Sequence, residues 1–248
     1  AAVTERIELV TNVLVAPLRS TGMLAKQAAS LDRACGGRLT LGVGVGTRED
    51  DFAACGASAR NRGRLIDAQL AELRRLWTAR PGGGTGPQIG PAPARRGGPR
   101  MLLGGQARHA APRAARYGDG WTMMAGHPDD FAAGAAQVRD AWQREGRAGR
   151  PATMALFYYA LGGQAHRLAE QAVGGYYSWL GPEIAGQITA ATATDEDTVR
   201  GYLAAFCAAG ADEVIALPCS ANRDQLERLA DITVSAAAST ASGVQERP

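Results

Sequence analysis

Two adjacent glycines, Gly104 and Gly105, stand between a short apolar segment and a helix-forming segment that starts after Gln106. A strand that ends in glycine and leads into a helix presents the free N–H groups and the positive dipole end of that helix, so this turn could bind a phosphate. A Gly-Gly pair is also a common tight turn between a strand and a helix. A second pair, Gly162-Gly163, follows a later apolar segment and competes for the same role. The residues alone leave these alternatives open.

Glycine also alternates with apolar residues between Leu39 and Gly46. One side of such a strand is apolar, and its other side has no side chains from Gly42 onward. This pattern lets another backbone or a flat ligand come close to the carboxyl end of the strand. A dinucleotide-binding G-x-G-x-x-G motif is excluded, because no glycine follows Gly46 at the required position.

Acid–base candidates are few, since the chain has three histidines. His127 precedes Pro128 and an acidic helix start, so it could be a proton donor or a substrate contact, or it could simply open the helix. His109 and His166 fall in helical segments and are expected at the surface. No Ser-His-acid order and no cluster of metal ligands stands out, which disfavours hydrolases and metalloenzymes and predicts no metal site.

Other side chains with reactive or polar groups follow the later strands. Tyr158 and Tyr159 must divide between the two faces of one strand, so one of them is expected to border a substrate. Cys219 and Arg223 follow the last strand and are placed similarly. The cysteines are far apart and lack C-x-x-C spacing, which predicts neither a zinc site nor a disulfide framework. We expect four buried thiols of a cytoplasmic protein: Cys35, Cys55, Cys207 and Cys219.

The composition is that of an ordinary globular protein, with 46% hydrophobic residues in 248. The net charge of +3 is too small to indicate a nucleic-acid partner. No apolar run is long enough for a membrane span, and the first ten residues lack the layout of a signal peptide. We therefore expect a cytoplasmic protein with a single domain over residues 1–248 and a Gly/Pro-rich surface loop at residues 80–100.

Hydrophobic periodicity predicts six strands that alternate with helices. This alternation favours a parallel sheet with helical crossovers, either open and doubly wound or most of a (β/α)8 barrel. The first strand is expected to be buried, because few of its side chains are polar. The predicted strands are residues 5–15, 38–43, 101–103, 120–124, 152–161 and 213–217; the predicted helices are 21–34, 60–77, 107–117, 128–145, 196–209 and 224–238, with one or two more within 168–191.

Four passages resemble, in this order, the bacterial luciferase-like monooxygenase family of flavin- and F420-dependent oxidoreductases. They are TERIELVTNVLV, LAKQAASLDRACGGRLTLGVGVGTREDDF, RMLLGGQARHAAPRAARYGDGW and AAGADEVIALP. The resemblance implies an α/β fold of the TIM (β/α)8 barrel type. Residues 7–15 would be the third strand of the family and residues 213–217 the eighth. We therefore expect a barrel that is N-terminally incomplete in this chain, without the first two βα units.

The resemblance also implies a cofactor site. Asn12-Val13 would form a non-prolyl cis peptide bond beneath the cofactor ring; the alternative is an ordinary buried strand, with Asn12 bonded to backbone. Thr47, in the turn along the cofactor, would be a hydrogen-bond donor. The implied cofactor-binding residues are Asn12, Val13, Val45, Gly46, Thr47, and, for the phosphate, Gly104, Gly105 and Gln106; His127 is the tentative catalytic residue.

The implied function is oxidoreduction with either FMN or coenzyme F420. With FMN, the protein would be a monooxygenase of a small organic substrate and would receive reduced flavin from a separate reductase. With F420, it would be a dehydrogenase that exchanges a hydride with its substrate. The alternatives are a non-catalytic flavin-binding paralogue of the same fold and a flavin-independent barrel that binds another phosphorylated ligand. A homodimer is expected by the same resemblance, with no membrane or nucleic-acid partner.

Overall fold

A computed structural model describes residues 1–78 and 89–242. In this part of the chain six strands alternate with helices, as predicted. The strands are β1 (Leu9–Val15), β2 (Leu39–Gly44), β3 (Arg100–Gly104), β4 (Gly120–Thr122), β5 (Ala152–Tyr159) and β6 (Glu213–Pro218). The α-helices are α1 (Thr21–Ala34), α2 (Glu49–Ala54), α3 (Arg62–Thr78), α4 (Ala107–Tyr117), α5 (Pro128–Arg144), α6 (Ala165–Ala169), α7 (Gly175–Tyr177), α8 (Pro182–Ala190), α9 (Glu196–Ala208) and α10 (Arg223–Ser242).

The chain divides into two compact units. Unit 1 comprises residues 1–122 and 135–152, and unit 2 comprises residues 123–134 and the chain from Thr153 onward. Part of the predicted surface loop, residues 80–88, lies outside the described residues. The rest of that loop, from residue 89 to the start of β3, contains neither helix nor strand.

Unit 1 is built on four parallel strands in the order β1-β2-β3-β4. Leu9 pairs with Leu39 at the start of this sheet, and its register shifts between Thr11 and Leu14 of β1. Parallel neighbours require crossover connections, which α1, α3 and α4 supply. The carboxyl ends of the four strands therefore share one edge of the sheet.

Helix α3 fixes several loops of unit 1 through two long side chains. Gln69 is buried and donates from Nε2 to the carbonyl oxygens of Ala16 (3.1 Å) and Arg19 (2.8 Å), which holds the loop that follows β1. Arg74 forms a 2.8 Å ion pair with Asp119, whose Oδ2 also accepts a 2.8 Å bond from the backbone N–H of Met101. The start of β3 and the approach to β4 are thus held by one carboxylate.

Unit 2 contains β5 and β6, which are parallel and in register from Met154–Glu213 to Tyr159–Pro218. Helix α9 packs on β5 through Phe206, whose ring stacks on that of Phe157 at 6.1 Å. Between β5 and α9 the structure has more breaks than the predicted one or two helices. A π-helical segment, Glu170–Gly174, separates α6 from α7, and the 3-10 turn Ser178–Leu180 precedes α8.

Two expectations about burial are wrong. Strand β1 is not buried, since Val13 is 38% exposed and Ile7, just before the strand, is 63% exposed. Within unit 1 this strand pairs only with β2, so its apolar side chains lack a second neighbouring strand. Of the four thiols only Cys35 is buried; Cys219 is half-buried, and Cys55 and Cys207 are exposed on their helices.

None of the described helices is both long enough and apolar enough to cross a membrane.

Candidate functional site in unit 1

The peptide bond between Asn12 and Val13 is cis. The predicted cis bond is confirmed, and its position beneath a cofactor ring stays a prediction. The alternative, an ordinary buried strand with Asn12 bonded to backbone, is wrong, because Asn12 is exposed. Its Oδ1 atom accepts a 3.0 Å hydrogen bond from the hydroxyl of Thr122, at the end of β4. A side chain, rather than the backbone, therefore orients the Asn12 amide.

Val13 packs into the glycine face of the neighbouring strands. A Cβ atom built on Gly44 would lie 2.8 Å from Cγ2 of Val13, and one on Gly104 would lie 2.6 Å from its Cγ1. One on Gly42 would lie 2.0 Å from the carbonyl oxygen of Thr11. The glycines of β2 thus let the backbone of β1 approach closely. Such a close approach by another backbone is one of the two possibilities that the glycine spacing predicts. The ends of β1, β2 and β3 converge on the Val13 side chain.

The turn after β2, residues 45–47, is also shaped by glycine. Gly46 has a φ of +76°, and a Cβ atom at this position would lie 2.6 Å from Cγ1 of Val15 and 3.0 Å from the ring of Phe52. Only glycine fits this conformation and this space. Val45 is half-buried, and Thr47 is exposed, so its hydroxyl is accessible from solvent.

Gly105 leaves an open space at the end of β3. Its φ of +115° favours glycine, and no atom lies within 4 Å of the position that a Cβ would take. The carbonyl oxygen of Gly105 accepts a 2.9 Å bond from the indole N–H of Trp121. The bond from Trp121 therefore fixes this turn to the end of β4. The open space at the Cβ position of Gly105 leaves room for a bound group.

Helix α4 begins directly after this turn with an electropositive end. The N-cap residue Gln106 makes no side-chain capping bond, and the first turn contains no acidic residue. It contains instead the exposed guanidinium group of Arg108, whose Nε donates a 3.0 Å hydrogen bond to Nε2 of His109. A positive side chain at a helix N-terminus opposes the helix dipole. An anion bound there would relieve this repulsion and satisfy the free N–H groups.

The competing glycine pair belongs to unit 2. Gly162 and Gly163 line an open groove of about 640 Å³ with residues of α6. A Cβ atom on Gly162 would lie 3.5 Å from the guanidinium carbon of Arg228, so this turn is less open than that of Gly105. The eight residues implied as cofactor-binding, which include Gly104 and Gly105, all lie in unit 1.

His127, in unit 2, stands directly before the first residue of α5. Its Nδ1 atom accepts a 3.4 Å bond from the backbone N–H of Asp129 and lies 3.3 Å from the carboxylate of the same residue. Its ring meets that of Tyr202 edge-on at 5.7 Å. His127 thus opens the helix, and its contacts with Asp129 and Tyr202 hold the ring at this position. His109 and His166 are exposed, as predicted.

Tyr158 and Tyr159 divide between the two faces of β5, as predicted. Tyr159 is 1% exposed and donates to the carbonyl oxygen of Gln225 at 3.1 Å, so it belongs to the core. Tyr158 is half-buried, and its hydroxyl lies 3.0 Å from that of Tyr177. Burial raises the pKa of Tyr158 far above its ordinary value, with a further increase from the bond to Tyr177.

The remaining predicted positions in unit 2 lie after β6. Burial raises the pKa of the Cys219 thiol to about 11, so it is protonated at neutral pH. Arg223 forms an exposed 3.0 Å ion pair with Glu227, one turn further along α10. Neither geometry indicates a reactive group.

Two residues of the site were missed by sequence reasoning. Trp121 and Thr122 donate to Gly105 and Asn12 and so fix the two segments that the sequence singled out. The only available signal was their position at the end of the strand next to β3, where parallel neighbours end together.

Comparison with known proteins agrees with this fold. Solved structures that match include the monooxygenase RslO1 from Streptomyces bottropensis, with a TM-score of 0.70, 22% identity, and coverage of 92% of this chain and 76% of that one. An F420-dependent secondary alcohol dehydrogenase, in complex with an F420-acetone adduct, matches with a TM-score of 0.69, 16% identity, and coverage of 89% and 76%. These likenesses confirm the luciferase-type TIM-barrel fold, of which the described residues supply six strands where a closed barrel has eight.

A protein of Mycobacterium tuberculosis (strain ATCC 25618 / H37Rv) is 38% identical over 77 residues, which are 31% of this chain and 27% of that protein. The match therefore spans about a quarter of the length of this curated relative. The family model described as luciferase-like monooxygenase matches residues 1–233, nearly the whole chain. The chain thus belongs to the luciferase-like monooxygenase family.

Proposed function

We propose that this protein is a flavin-dependent oxidoreductase that binds FMN or coenzyme F420 in unit 1 and acts on a small organic substrate. The observation that carries the proposal is the convergence of three strand ends on Val13, next to an open, electropositive turn at Gly105. Family membership supports the same reading. The similar structures include an F420-dependent dehydrogenase and a monooxygenase, and they do not select one of the two cofactors.

The phosphate of the cofactor is assigned to the turn between β3 and α4. Gly105 provides the space, and the free N–H groups that follow Gln106 provide donors. Arg108 adds positive charge, which a phosphate would neutralise. These features support a phosphorylated cofactor at this turn.

The ring of the cofactor is assigned to the other strand ends. Asn12 and Val13 are the proposed contacts of the ring, and Thr122 holds the Asn12 amide in place through a 3.0 Å hydrogen bond. Val45, Gly46 and Thr47 would lie along the cofactor, with the exposed Thr47 hydroxyl as a donor.

The bound cofactor would supply the redox chemistry, namely hydride transfer for F420 or oxygen activation for reduced FMN. The protein would orient the ring and exclude water from it. His127 is proposed as a proton donor or a substrate contact. If FMN is the cofactor, a separate reductase would supply it in reduced form. We also propose a homodimer, for which light scattering of the purified protein is the direct measurement.

The experiment is a fluorescence titration of the protein with FMN and with F420, repeated on two variants of Gly105. Gly105→Ala adds a Cβ at a φ of +115° without charge, whereas Gly105→Asp adds a carboxylate as well. Two unit charges about 5 Å apart at a partly exposed site repel by about 1–3 kcal/mol, so Gly105→Asp should weaken binding about 10- to 100-fold beyond Gly105→Ala.

Gly146→Asp is the matched control, since Gly146 also has a positive φ, +65°, with open space around it. It should leave the affinity unchanged. Equal affinities of the folded Gly105→Asp and Gly105→Ala proteins would remove this turn from the site. Binding of neither cofactor by the folded wild-type protein would refute the proposed function.

A further inference from the structure

Three tyrosines of unit 2 form a cluster, which we call the tyrosine cluster: Tyr158, Tyr176 and Tyr177. The hydroxyl oxygens of Tyr158 and Tyr177 are 3.0 Å apart, and their rings meet edge-on at 6.2 Å. The rings of Tyr176 and Tyr177 also meet edge-on, at 4.9 Å. Tyr176 is 59% exposed, so the cluster presents an aromatic surface to solvent.

The position of the cluster is that of a substrate site. Tyr158 is the penultimate residue of β5, and TIM-barrel enzymes bind their substrates at the carboxyl ends of the strands. Tyr176 and Tyr177 lie on α7, directly after the π-helical segment Glu170–Gly174. Such π-helical turns are rare and are found frequently at functional sites.

The hydrogen bonds of the cluster leave one donor unused. Two phenol groups have two protons, and the bond between them uses one of them. Among the described residues neither hydroxyl has another partner, so the pair retains one O–H group that can donate to a ligand. The pKa of Tyr158 is raised by burial and by Tyr177, which keeps this phenol protonated at physiological pH.

The chemistry of this surface selects its ligand. Aromatic rings bind flat apolar molecules by stacking and edge-to-face contact. A site with a neutral O–H donor favours a ligand oxygen that accepts a hydrogen bond, because the donor would otherwise be desolvated without a partner.

We propose that the tyrosine cluster of unit 2 is a binding site for an organic molecule that is flat and largely apolar and carries a carbonyl or similar acceptor oxygen. The hydroxyl pair determines specificity, and the rings supply most of the contact surface. A purely structural role of the pair, as a tie between β5 and α7, is the alternative that the test must separate.

The test compares two probes that differ by one acceptor oxygen, acetophenone and ethylbenzene, by ligand-observed NMR titration. The proteins are wild type and the double variant Tyr158→Phe/Tyr177→Phe, which removes both hydroxyls and keeps both rings, so that no O–H donor of the cluster remains. One lost hydrogen bond corresponds to a loss of about five- to tenfold in acetophenone affinity. Ethylbenzene affinity should stay within about twofold, because the aromatic surface is intact.

Tyr202→Phe is the matched control. Tyr202 lies in the same unit, and its hydroxyl donates to the carbonyl oxygen of Ala191 at 3.3 Å, outside the cluster. It should bind both probes as the wild type does. Circular dichroism checks that each variant folds. The single variants Tyr158→Phe and Tyr177→Phe each keep one O–H donor and should lose less acetophenone affinity than the double variant.

Three results would overturn the proposal. They are equal losses for both probes in the cluster variants, a loss of the same size in Tyr202→Phe, and no binding of acetophenone to the wild type up to its solubility limit. The probes are titrated without cofactor, so the outcome is independent of the FMN and F420 titrations. Selective acetophenone binding without binding of either cofactor would refute the proposed oxidoreductase and leave the tyrosine-cluster site standing, whereas cofactor binding without acetophenone binding would refute only the tyrosine-cluster site.

Discussion

Gly104→Ala should destabilise the protein through a clash with Val13. The added Cβ would lie 2.6 Å from Cγ1 of Val13 and 3.4 Å from the carbonyl oxygen of Val43, whereas carbon atoms in contact are about 3.5–4.0 Å apart. Val13 cannot simply rotate away. Its other methyl, Cγ2, faces Gly44, and β-branched side chains have few χ1 rotamers. Strand β3 or β1 must therefore move by about 1 Å, and overpacking of this kind costs about 1–3 kcal/mol.

A double-mutant cycle isolates this contact. Val13→Ala removes both methyl groups from a side chain that is 38% exposed, which should cost about 1 kcal/mol. The double variant Val13→Ala/Gly104→Ala should recover most of the loss caused by the clash, with a coupling free energy of about 1–2 kcal/mol. The assay is urea unfolding followed by circular dichroism, with the free energy of unfolding compared across the four proteins.

Gly201→Ala is the matched control for glycine substitution. Gly201 lies within α9, and no atom lies within 4 Å of its Cβ position, so this variant should gain about 0.5–1 kcal/mol from the helix preference of alanine. A Gly104→Ala protein as stable as the wild type would refute the packing of Val13 against Gly44 and Gly104. Additive effects of the two substitutions on the free energy of unfolding would refute it too. The convergence on which the proposed cofactor site depends would then be lost.

Three further predictions concern unit 2. Gln225→Leu should lower the free energy of unfolding by about 2–4 kcal/mol in urea unfolding, because its buried amide exchanges two bonds with the backbone of Leu161, at 2.8 and 2.9 Å; an unchanged midpoint would contradict this. Asp195→Ala should cost about 1 kcal/mol at neutral pH, since Asp195 caps α9 through the Thr198 N–H. The bond from the Thr198 N–H lowers the pKa of Asp195. The contribution of Asp195 to the free energy of unfolding is therefore present above about pH 4 and is lost as the pH falls through the lowered pKa. The difference in stability between wild type and variant should vanish in acid unfolding curves. His127→Gln should reduce turnover of a substrate without changing cofactor affinity, and full turnover would leave His127 only its role in opening α5.

Much of the fold could be predicted from local sequence patterns. Helix α4 has the predicted bounds, and β2 is displaced by one residue, because hydrophobic periodicity and glycine punctuation are local signals. The strand–glycine–helix order was sufficient to single out Gly105. The space around it and the electropositive first turn of α4 became evident only with the backbone geometry.

The wrong predictions concern burial, which depends on tertiary neighbours and not on local sequence. The apolar pattern of β1 resembles that of a buried strand, but burial depends on how many strands flank it, and Val13 remains partly exposed. Cys55 and Cys207 were expected to be buried on the basis of residue type alone, although each lies on an exposed part of its helix. Thr122 donates to Asn12, 110 residues earlier in the chain, a pairing that no local pattern encodes.

The proposed cofactor site depends most on the turn between β3 and α4. A crystal structure of the protein with bound FMN or F420 tests the role of this turn directly. We expect phosphate oxygens within about 3.2 Å of the backbone N–H groups of residues 106–108, and the ring against Asn12-Val13. A phosphate at Gly162-Gly163 instead, with the Gly105 turn unchanged, would contradict the proposed site.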